Sequence, residues 1–371
     1  MTEPALRVAF FPCCYNEIDG VAHTSRQFES FAMRRGLQFL TVHGGTENDL
    51  QKVGSTVQRP AAAGESDFRW TRSTILTWPS GATCMRWRRW FASSTRIFCT
   101  SPAPAMWASS VLRSLTACTF HLAASWHTNV RQYAEQRGSA MPSFFPAGFR
   151  KRVGAAFGHG SLLATLRFYH AAQVLFAPNQ ELIDVIESGT GKSCYAMHRG
   201  VDTDLFDPRR RERSDDRFVI GYVGRLTVEK NIRDLVDIEQ ILIQKGFANF
   251  GFLIVGQGAE EPWLRASMKK ADFTGVLRGE TLARAYANMD VFAFPSRNDT
   301  YGNVVLEALA SGVPAVVKDS GGPRFIVRDS ETGFVARDLH EFAARIQSLA
   351  TRPAQPEAMR AAGRAHAMTA S

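Results

Sequence analysis

The sequence lacks long hydrophobic runs and closely paired cysteines. No run of eighteen apolar residues occurs, and the six cysteines are scattered without a CxxC pair. These absences argue against a membrane-spanning helix, a disulfide framework and a zinc site. The N-terminal stretch "MTEPALRVAFFP" also lacks the basic segment and cleavage site of a secretion signal. We therefore expect a cytoplasmic protein.

Acidic residues are missing from one long stretch of the chain. Residues 68–134 contain eight arginines but no lysine, aspartate or glutamate. This stretch supplies +8 of the formal net charge of +9, which leaves +1 for the rest of the chain. Because the basicity is local, it does not favour a nucleic-acid-binding protein. Salt-dependent binding to arbitrary DNA would revive that hypothesis.

The order of apolar segments predicts an α/β protein of two domains. A chain of 371 residues exceeds a usual single core. "LRVAFF", "VAHTSRQFESFAMRRG" and "LQFLTVHGG" predict an opening strand–helix–strand unit. After a charged stretch, "DPRRRERSDDR", which we interpret as a solvated linker, apolar strands alternate with helical patterns. We predict two doubly wound, Rossmann-like domains, over residues 1–180 and 181–371, that face a cleft.

Three short motifs have ordinary structural explanations. "GTGKS" (residues 189–193) lacks the first glycine of a phosphate-binding loop and joins a helix to a strand, so we interpret it as a helix-ending turn. "GQG" (256–258) lacks the third glycine of a dinucleotide fingerprint and predicts a strand-to-helix turn. "DTD" (202–204) fits either metal-binding carboxylates or a turn.

A group of cations and glycines predicts an anion site in the second domain. In "GYVGRLTVEKN", Gly224 ends a predicted strand, and Arg225 and Lys230 follow before the next helix. A second predicted helix begins near Gly302, where free backbone amides can hold a phosphate. Parallel strands bring both segments to one edge of the sheet.

Two carboxylates accompany this anion site. Asp299 precedes the second helix, and Glu307 lies more than one turn inside it. Carboxylates accept hydrogen bonds from neighbouring hydroxyls. A ligand with both a diphosphate and neighbouring hydroxyls would suit this combination of groups, and a nucleotide sugar is such a ligand.

These motifs resemble the retaining glycosyltransferases of family 4, which have the GT-B fold. The resemblance covers nearly all of residues 175–350. It rests on "APNQELIDVI", "RGVDTDLFDP", "GYVGRLTVEKN", "LIVGQG", "PSRNDTYGNVVLEALASGVPAVV" and "GGPRFIVRDSETGFV". The family pattern places Glu at both carboxylate positions, whereas this chain has Asp299 at the first.

The resemblance assigns roles to the residues of the second domain. Glu307 would bind the ribose hydroxyls, and Asp299 the hydroxyls of the donor sugar. Arg225 and Lys230 would neutralise the diphosphate leaving group without a metal or cofactor. The other residues placed around the donor are Gly224, Tyr301, Gly302, Asn303 and Val304.

The resemblance also implies a mechanism and extends to parts of the first domain. Gly20 and Val21 would approach the donor phosphates or the acceptor, and His127 would face the cleft near the sugar. The family retains configuration by front-face attack, so we name no general base. "RGVD" is frequent in members that transfer mannose or make glycolipids. The acceptor implied is a lipid or glycan, with peripheral contact at the inner face of a membrane.

Two parts of the chain depart from the family. Residues 57–121 show no sustained period of 2 or 3.6, and we interpret them as an out-of-frame translation, with an insertion or disordered basic loop as the alternative. "AMRAAGRAHAMTAS" resembles only the start of the family's C-terminal helical tail. A catalytically inactive nucleotide-sugar-binding protein with a defective first domain is therefore the alternative function.

Overall fold

The computed structural model describes residues 7–12, 20–44, 51–53, 56–61, 95–99, 121–131, 134–135, 145–352 and 354–370. The chain divides after Met197 into two compact units. This division lies later than the boundary expected after residue 180. The helix Gln180–Thr190 and the strand Cys194–Ala196 still belong to the first unit, whose sheet this strand extends.

The first unit contains an eight-stranded sheet flanked by helices. Its strands are β1 (Arg7–Phe11), β2 (Gln38–Gly44), β3 (Gln51–Val53), β4 (Thr56–Ala61), β5 (Thr95–Cys99), β6 (His121–Ser125), β7 (Val174–Ala177) and β8 (Cys194–Ala196), and its helices are α1 (Gly20–Arg34), α2 (Ala147–Ala171) and α3 (Gln180–Thr190). The strand order is β3-β4-β2-β1-β5-β6-β7-β8, and β3 is antiparallel to β4. The predicted β1–α1–β2 unit is confirmed, because β1 pairs in parallel with β2.

Aromatic packing and helix caps hold this unit together. The rings of Trp126 and Tyr169 stack with centroids 5.3 Å apart, and both side chains are buried. At the start of α3, Asn179 Oδ1 accepts a hydrogen bond from the Leu182 amide at 3.0 Å. At its end, Gly191 has φ +68°, which confirms the helix-ending turn predicted for "GTGKS".

Two strands lie within the stretch that showed no sequence period. β4 includes residues 57–61, and β5 (Thr95–Cys99) pairs in parallel with β1 and β6. These two segments therefore form strands although the sequence shows no strand period there. Most of the remaining stretch lies outside the described residues. The out-of-frame origin stays a prediction.

The second unit has a six-stranded, wholly parallel sheet, which agrees with the predicted doubly wound fold. Its strands are β9 (Phe218–Val223), β10 (Phe250–Val255), β11 (Ala271–Gly275), β12 (Val291–Phe294), β13 (Ala315–Lys318) and β14 (Gly333–Ala336), and its helices are α4 (Asp234–Gln244), α5 (Glu261–Ser267), α6 (Gly279–Ala287), α7 (Asn303–Ala310), α8 (Leu339–Thr351) and α9 (Ala354–Met368). The order is β11-β10-β9-β12-β13-β14, so the strand sequence reverses between β9 and β12. Ligands of such sheets bind at the carboxyl ends of the strands beside this reversal.

The stretch "DPRRRERSDDR" is not a linker, so that prediction was wrong. Arg211 and Arg213 form ion pairs with Asp290 at 2.8 and 3.0 Å, and Arg360 of α9 reaches the same carboxylate at 3.4 Å. Asp290 immediately precedes β12. The charged residues are therefore part of the second unit, since their partners lie within it.

The last helix, α9, packs against α7 in the second unit. Met359 and Ala367 of α9 are buried there. Arg364 Nη1 donates to the carbonyl oxygens of Phe206 and Ala310 at 2.6 and 2.7 Å. Among the helices that the structure describes, none combines the length and apolarity that a membrane span requires.

Candidate functional site

The predicted anion site lies at the carboxyl ends of β9 and β12. One loop follows β9 and contains Arg225 and Lys230, and the other follows β12 and contains Asp299. Since β9 and β12 are adjacent parallel strands, both loops leave the same edge of the sheet. Arg225, Lys230 and Asp299 therefore lie at the edge of the sheet where doubly wound folds bind their ligands.

Glycines allow the loops after β9 and β10 to approach closely. Gly256 has φ +136°, and a Cβ atom there would lie 1.9 Å from the Gly224 carbonyl oxygen. A Cβ at Gly258 would lie 2.2 Å from the Leu226 carbonyl oxygen. No side chain fits at either position without moving the backbone. "GQG" is thus the predicted strand-to-helix turn between β10 and α5.

Lys230 and Asp299 are in direct contact. The Lys230 ammonium donates to Asp299 Oδ1, and the two side chains are only 17% and 16% exposed. Burial is the largest influence and acts to raise the pKa of Asp299, but the charge and hydrogen bond of Lys230, together with nearby Ser296 and the Arg225 charge, outweigh it and hold the pKa below its ordinary value. Asp299 is therefore ionised at neutral pH. Its other oxygen, Oδ2, is buried and makes no hydrogen bond with the residues that the structure describes.

Arg225 adds a second positive charge at this site. Its side chain is exposed, and its charge contributes to lowering the pKa of Asp299. Its carbonyl oxygen accepts a hydrogen bond from the Tyr222 hydroxyl at 3.2 Å, which anchors the backbone of the loop. The two cations predicted from "GYVGRLTVEKN" thus lie on one loop that faces Asp299.

Helix α7 begins close to Asp299 in the sequence. Gly302 caps the helix with φ +104°, a left-handed conformation that favours glycine. The first turn of α7 carries Asn303 and Val304, the positions assigned to the donor. Tyr301, just before it, is buried and donates from its hydroxyl to the Arg199 carbonyl oxygen at 3.2 Å.

Arg199 is a further cation at the site that was not predicted from the sequence. It is 6% exposed, its Nη1 donates to Asn303 Oδ1 at 3.3 Å, and its guanidinium lies 5.7 Å from the centroid of the Tyr301 ring. The motif "RGVD" pointed to this segment, but only the fold brings it to α7. A buried arginine at a helix N-terminus adds positive potential where an anion would bind.

Glu307 lies on α7 beside a buried tyrosine. The Tyr286 hydroxyl donates to Glu307 Oε2 at 2.9 Å. Burial raises the pKa of Glu307 to about 7, although this hydrogen bond lowers it in part. Burial raises the pKa of Tyr222 and Tyr286, and the charges of Asp299 and Glu307 raise them further. Each carboxylate therefore helps to keep a neighbouring tyrosine hydroxyl protonated.

The site residues predicted in the first domain lie at the carboxyl edge of its sheet. Gly20 opens α1, which follows β1, and Val21 is buried. His127 comes two residues after the end of β6 and is 3% exposed. Because β1 and β6 are both parallel to β5, these residues leave the first sheet at the same edge.

"DTD" forms a turn. Asp202 Oδ1 accepts hydrogen bonds from the amides of Asp204 and Leu205 at 3.1 and 2.9 Å. Over the parts of the chain that the structure describes, no group of three or more His, Cys, Asp or Glu side chains could hold a metal ion.

Comparison with known proteins finds a family match within the second unit. Residues 217–352 match the family model of the group 1 glycosyl transferases. A GDP-mannose-dependent alpha-mannosyltransferase of Mycolicibacterium smegmatis is 32% identical over 213 residues, which cover 55% of each chain. The chain thus spans little more than half the length of this curated relative.

Solved structures share the fold of both units. Sucrose-phosphate synthase from Thermosynechococcus elongatus superposes with a TM-score of 0.75 at 17% identity, over 98% of this chain and 94% of that one. Anabaena Alr3699/HepE, solved with UDP and glucose, gives a TM-score of 0.69 at 13% identity, over 98% and 95%. These similarities establish the GT-B fold of two Rossmann-like units.

Proposed function

Because this chain carries a group 1 glycosyltransferase domain on a GT-B fold, we propose that it transfers a sugar from a nucleoside-diphosphate sugar to an acceptor. The observation that carries the proposal is the meeting of Lys230, Asp299 and the N-terminus of α7 where β9 and β12 end. Cations and a helix N-terminus bind a diphosphate, and a carboxylate beside them binds sugar hydroxyls.

The cations would act on the leaving group. When the bond to the anomeric carbon breaks, negative charge accumulates on the departing diphosphate. An ammonium has three donors, so Lys230 can keep Asp299 and still donate to a phosphate oxygen. Arg225 and the first-turn amides of α7 supply further fixed positive charge. This arrangement supports transfer without a metal ion.

The two carboxylates would divide the rest of the donor between them. Asp299 has a buried oxygen, Oδ2, that makes no hydrogen bond with the residues that the structure describes, and a donor-sugar hydroxyl would satisfy it. Glu307 would accept hydrogen bonds from the ribose. The ionised form of Glu307 is the better acceptor, so ribose binding should favour loss of its proton.

We propose GDP-mannose as the first donor to test. The Mycolicibacterium relative is named a GDP-mannose-dependent alpha-mannosyltransferase, while Anabaena Alr3699/HepE was solved with UDP-glucose. UDP-glucose is therefore the second donor. We further propose retention of configuration by front-face attack, with Gly20, Val21 and His127 contributing from the first unit.

Calorimetry with GDP, GDP-mannose, UDP and UDP-glucose in the presence of EDTA tests the donor site. We expect at least one nucleotide to bind, and Lys230→Ala to weaken the diphosphate contact by about 1.5–3 kcal/mol, as expected for a hydrogen bond to a charged group. Arg328→Ala is the control, because Arg328 forms an exposed ion pair with Glu331 on a different segment. A strict need for Mg²⁺ or Mn²⁺ would refute the metal-free mechanism.

An inactive nucleotide-sugar-binding protein is the second candidate. The second unit contains Arg225, Lys230, Asp299 and Glu307 of the proposed donor site, whereas residues 57–121 belong to the first unit. Binding of a donor without hydrolysis or transfer to any acceptor would support this candidate. Turnover of GDP-mannose or UDP-glucose would exclude it.

We also propose that α2 contacts an anionic membrane surface. The helix contains no aspartate or glutamate but includes Arg150, Lys151 and Arg152. Its side chains Phe149 and Phe157 are 48% and 63% exposed. Basic residues beside exposed aromatic rings suit the lipid–water interface. Co-sedimentation with vesicles of phosphatidylglycerol and phosphatidylcholine should fall in Phe157→Ser, and equal binding of both proteins would contradict the proposal.

A further inference from the structure

The two loops of the donor site are joined by side-chain contacts as well as by the Lys230–Asp299 pair. The Arg297 amide donates to Asn231 Oδ1 at 3.2 Å. Asn298 Nδ2 donates to the Glu229 carbonyl oxygen at 3.0 Å. Each of these contacts joins the loop after β9 to the loop after β12. The relative position of the two loops is therefore set by side chains at their tips.

Asn231 has an unusual backbone conformation. Its φ and ψ are 53° and 34°, and it ends the single 3₁₀ turn Val228–Lys230. Its carbonyl oxygen accepts a hydrogen bond from the Asp234 amide at 3.0 Å, which leads the chain into α4. Asn231 thus reverses the chain immediately after Lys230. The direction in which Lys230 leaves the loop depends on this turn.

Backbone geometry alone does not explain an asparagine at this position. Glycine adopts the left-handed region without steric cost, whereas other residues lose about 1–2 kcal/mol there, with asparagine more tolerant than most. The side chain of Asn231 must therefore offset a cost that glycine would avoid. Its hydrogen bond with the Arg297 amide is the contact that does so.

We propose that Asn231 is a positioning residue, whose turn directs Lys230 and whose amide oxygen fixes the loop that carries Asp299. This inference rests on the proposed function of the same site. Asn231 adjoins Lys230, and its partner Arg297 lies two residues before Asp299. The Asn231 residue thereby fixes the positions of both Lys230 and Asp299 before the donor binds. A site that is already formed does not need to be ordered on binding.

The two possible roles of Asn231, a purely structural turn and a positioning residue, predict different results for Asn231→Gly. Glycine keeps the left-handed turn, so a structural role alone predicts unchanged donor binding. Loss of the side chain removes the hydrogen bond to the Arg297 amide. The positioning role therefore predicts an altered site in a protein that remains fully folded.

The experiment compares Asn231→Gly, Asn231→Asp and a control, Asn288→Ala. Asn288 Oδ1 also accepts backbone amides, those of Glu212 and Arg213 at 3.0 Å each, but at the end of α6. We expect Asn231→Gly to speed hydrogen exchange at the Arg297 amide and to weaken GDP-mannose binding about 10-fold, as for the loss of one hydrogen bond. Asn231→Asp keeps an acceptor oxygen and should restore slow exchange. Asn288→Ala should change neither readout.

The exchange measurement separates this inference from the proposed function. Unchanged exchange at the Arg297 amide and unchanged affinity in Asn231→Gly would overturn the positioning role. If the wild-type protein binds no nucleotide sugar, the proposed function fails. In that case the exchange rates of the three variants still decide whether Asn231 joins the two loops, because they are measured without a ligand.

Discussion

At the scale of single residues, Asp299 and Glu307 should affect different parts of the donor. Glu307→Gln should weaken GDP and GDP-mannose to the same extent, because the ribose is common to both. Asp299→Asn should leave GDP affinity nearly unchanged and reduce affinity for GDP-mannose and its turnover. Contacts next to the reacting carbon act mainly in the transition state. Calorimetry with both ligands and measurement of kcat test these expectations.

Asp299→Glu is the matched variant, since it restores the longer acid of the family pattern. It should keep the charge beside Lys230 and preserve at least part of the turnover. If both carboxylate variants lost affinity equally for GDP and for GDP-mannose, the two roles would be wrongly assigned.

The raised pKa of Glu307 predicts pH-dependent binding of the nucleotide. Burial raises the pKa of the Glu307 carboxyl to about 7 in the protein without ligand. A ribose that donates hydrogen bonds to this carboxyl favours its ionised form. Affinity should therefore rise with pH up to about 7 and level off above it, with a loss approaching 10-fold for each pH unit below. Calorimetry with GDP from pH 5.5 to 8.5 measures this dependence. Glu307→Gln should remove it, and a wild-type profile that stays flat would contradict the assignment.

Individual site residues differ in how far the sequence could predict them. Lys230, Asp299 and Glu307 were predictable, because short spacing along the chain fixes their place beside a strand end or on a helix. Arg199 and Tyr286 were not, because their contacts with Asn303 and Glu307 join distant positions. Asn231 lies within a predicted motif, but the contact with Arg297 depends on the pairing of β9 with β12.

At the scale of elements, the arginines of α9 should contribute strongly to stability. Arg364 donates to the carbonyl oxygens of Phe206 and Ala310, which would otherwise lose their partners. We expect Arg364→Ala to lower the free energy of unfolding by about 2–3 kcal/mol, because buried acceptors left unsatisfied are costly. Urea denaturation measures this change.

Arg328→Ala serves as the comparison for Arg364→Ala. Arg328 and Glu331 form a surface ion pair whose side chains are 56% and 55% exposed. Such pairs contribute less than about 1 kcal/mol. Equal losses in the two variants would show that the buried contacts of α9 stabilise no more than a surface ion pair.

Elements in the second unit were predicted well for a physical reason. Strands of a parallel sheet are covered on both faces, so β9, β10 and β12 appear as continuous apolar runs. The stretch "DPRRRERSDDR" was misinterpreted because charged runs are usually solvated. Its arginines instead find Asp290, a partner more than seventy positions away.

At the scale of the whole molecule, residues 198–371 should fold without the first unit. Among the residues that the structure describes, the largest cluster of buried apolar side chains lies entirely within this unit, from Val201 to Ala367. We expect this fragment to unfold cooperatively and to bind GDP, because it contains Arg225, Lys230 and Glu307, which are the residues of the second unit proposed to bind the diphosphate and ribose. Circular dichroism and calorimetry test this. A fragment without cooperative unfolding would contradict the expectation.

The anomalous stretch of the first unit leads to a prediction about its DNA. If residues 57–121 are out of frame, another frame of the same DNA should encode acidic residues and a strand–helix–strand pattern. Sequencing the gene and translating all frames is sufficient. Stop codons or equally patternless sequence in both other frames would refute the idea, and the acid-free stretch would then be an authentic part of the chain.

The contacts of α9 also bear on the order in which this protein is made. Arg364 contacts Phe206 and Thr203, which are synthesised more than 150 residues earlier. During synthesis, the Ala310 carbonyl at the end of α7 and the Asp290 carboxylate therefore lack Arg364 and Arg360 as partners. These partners become available only when nearly the whole second unit has left the ribosome. Contacts between distant positions form late and leave apolar surface exposed in the meantime. Nascent chains that stall before α9 should consequently depend on chaperones.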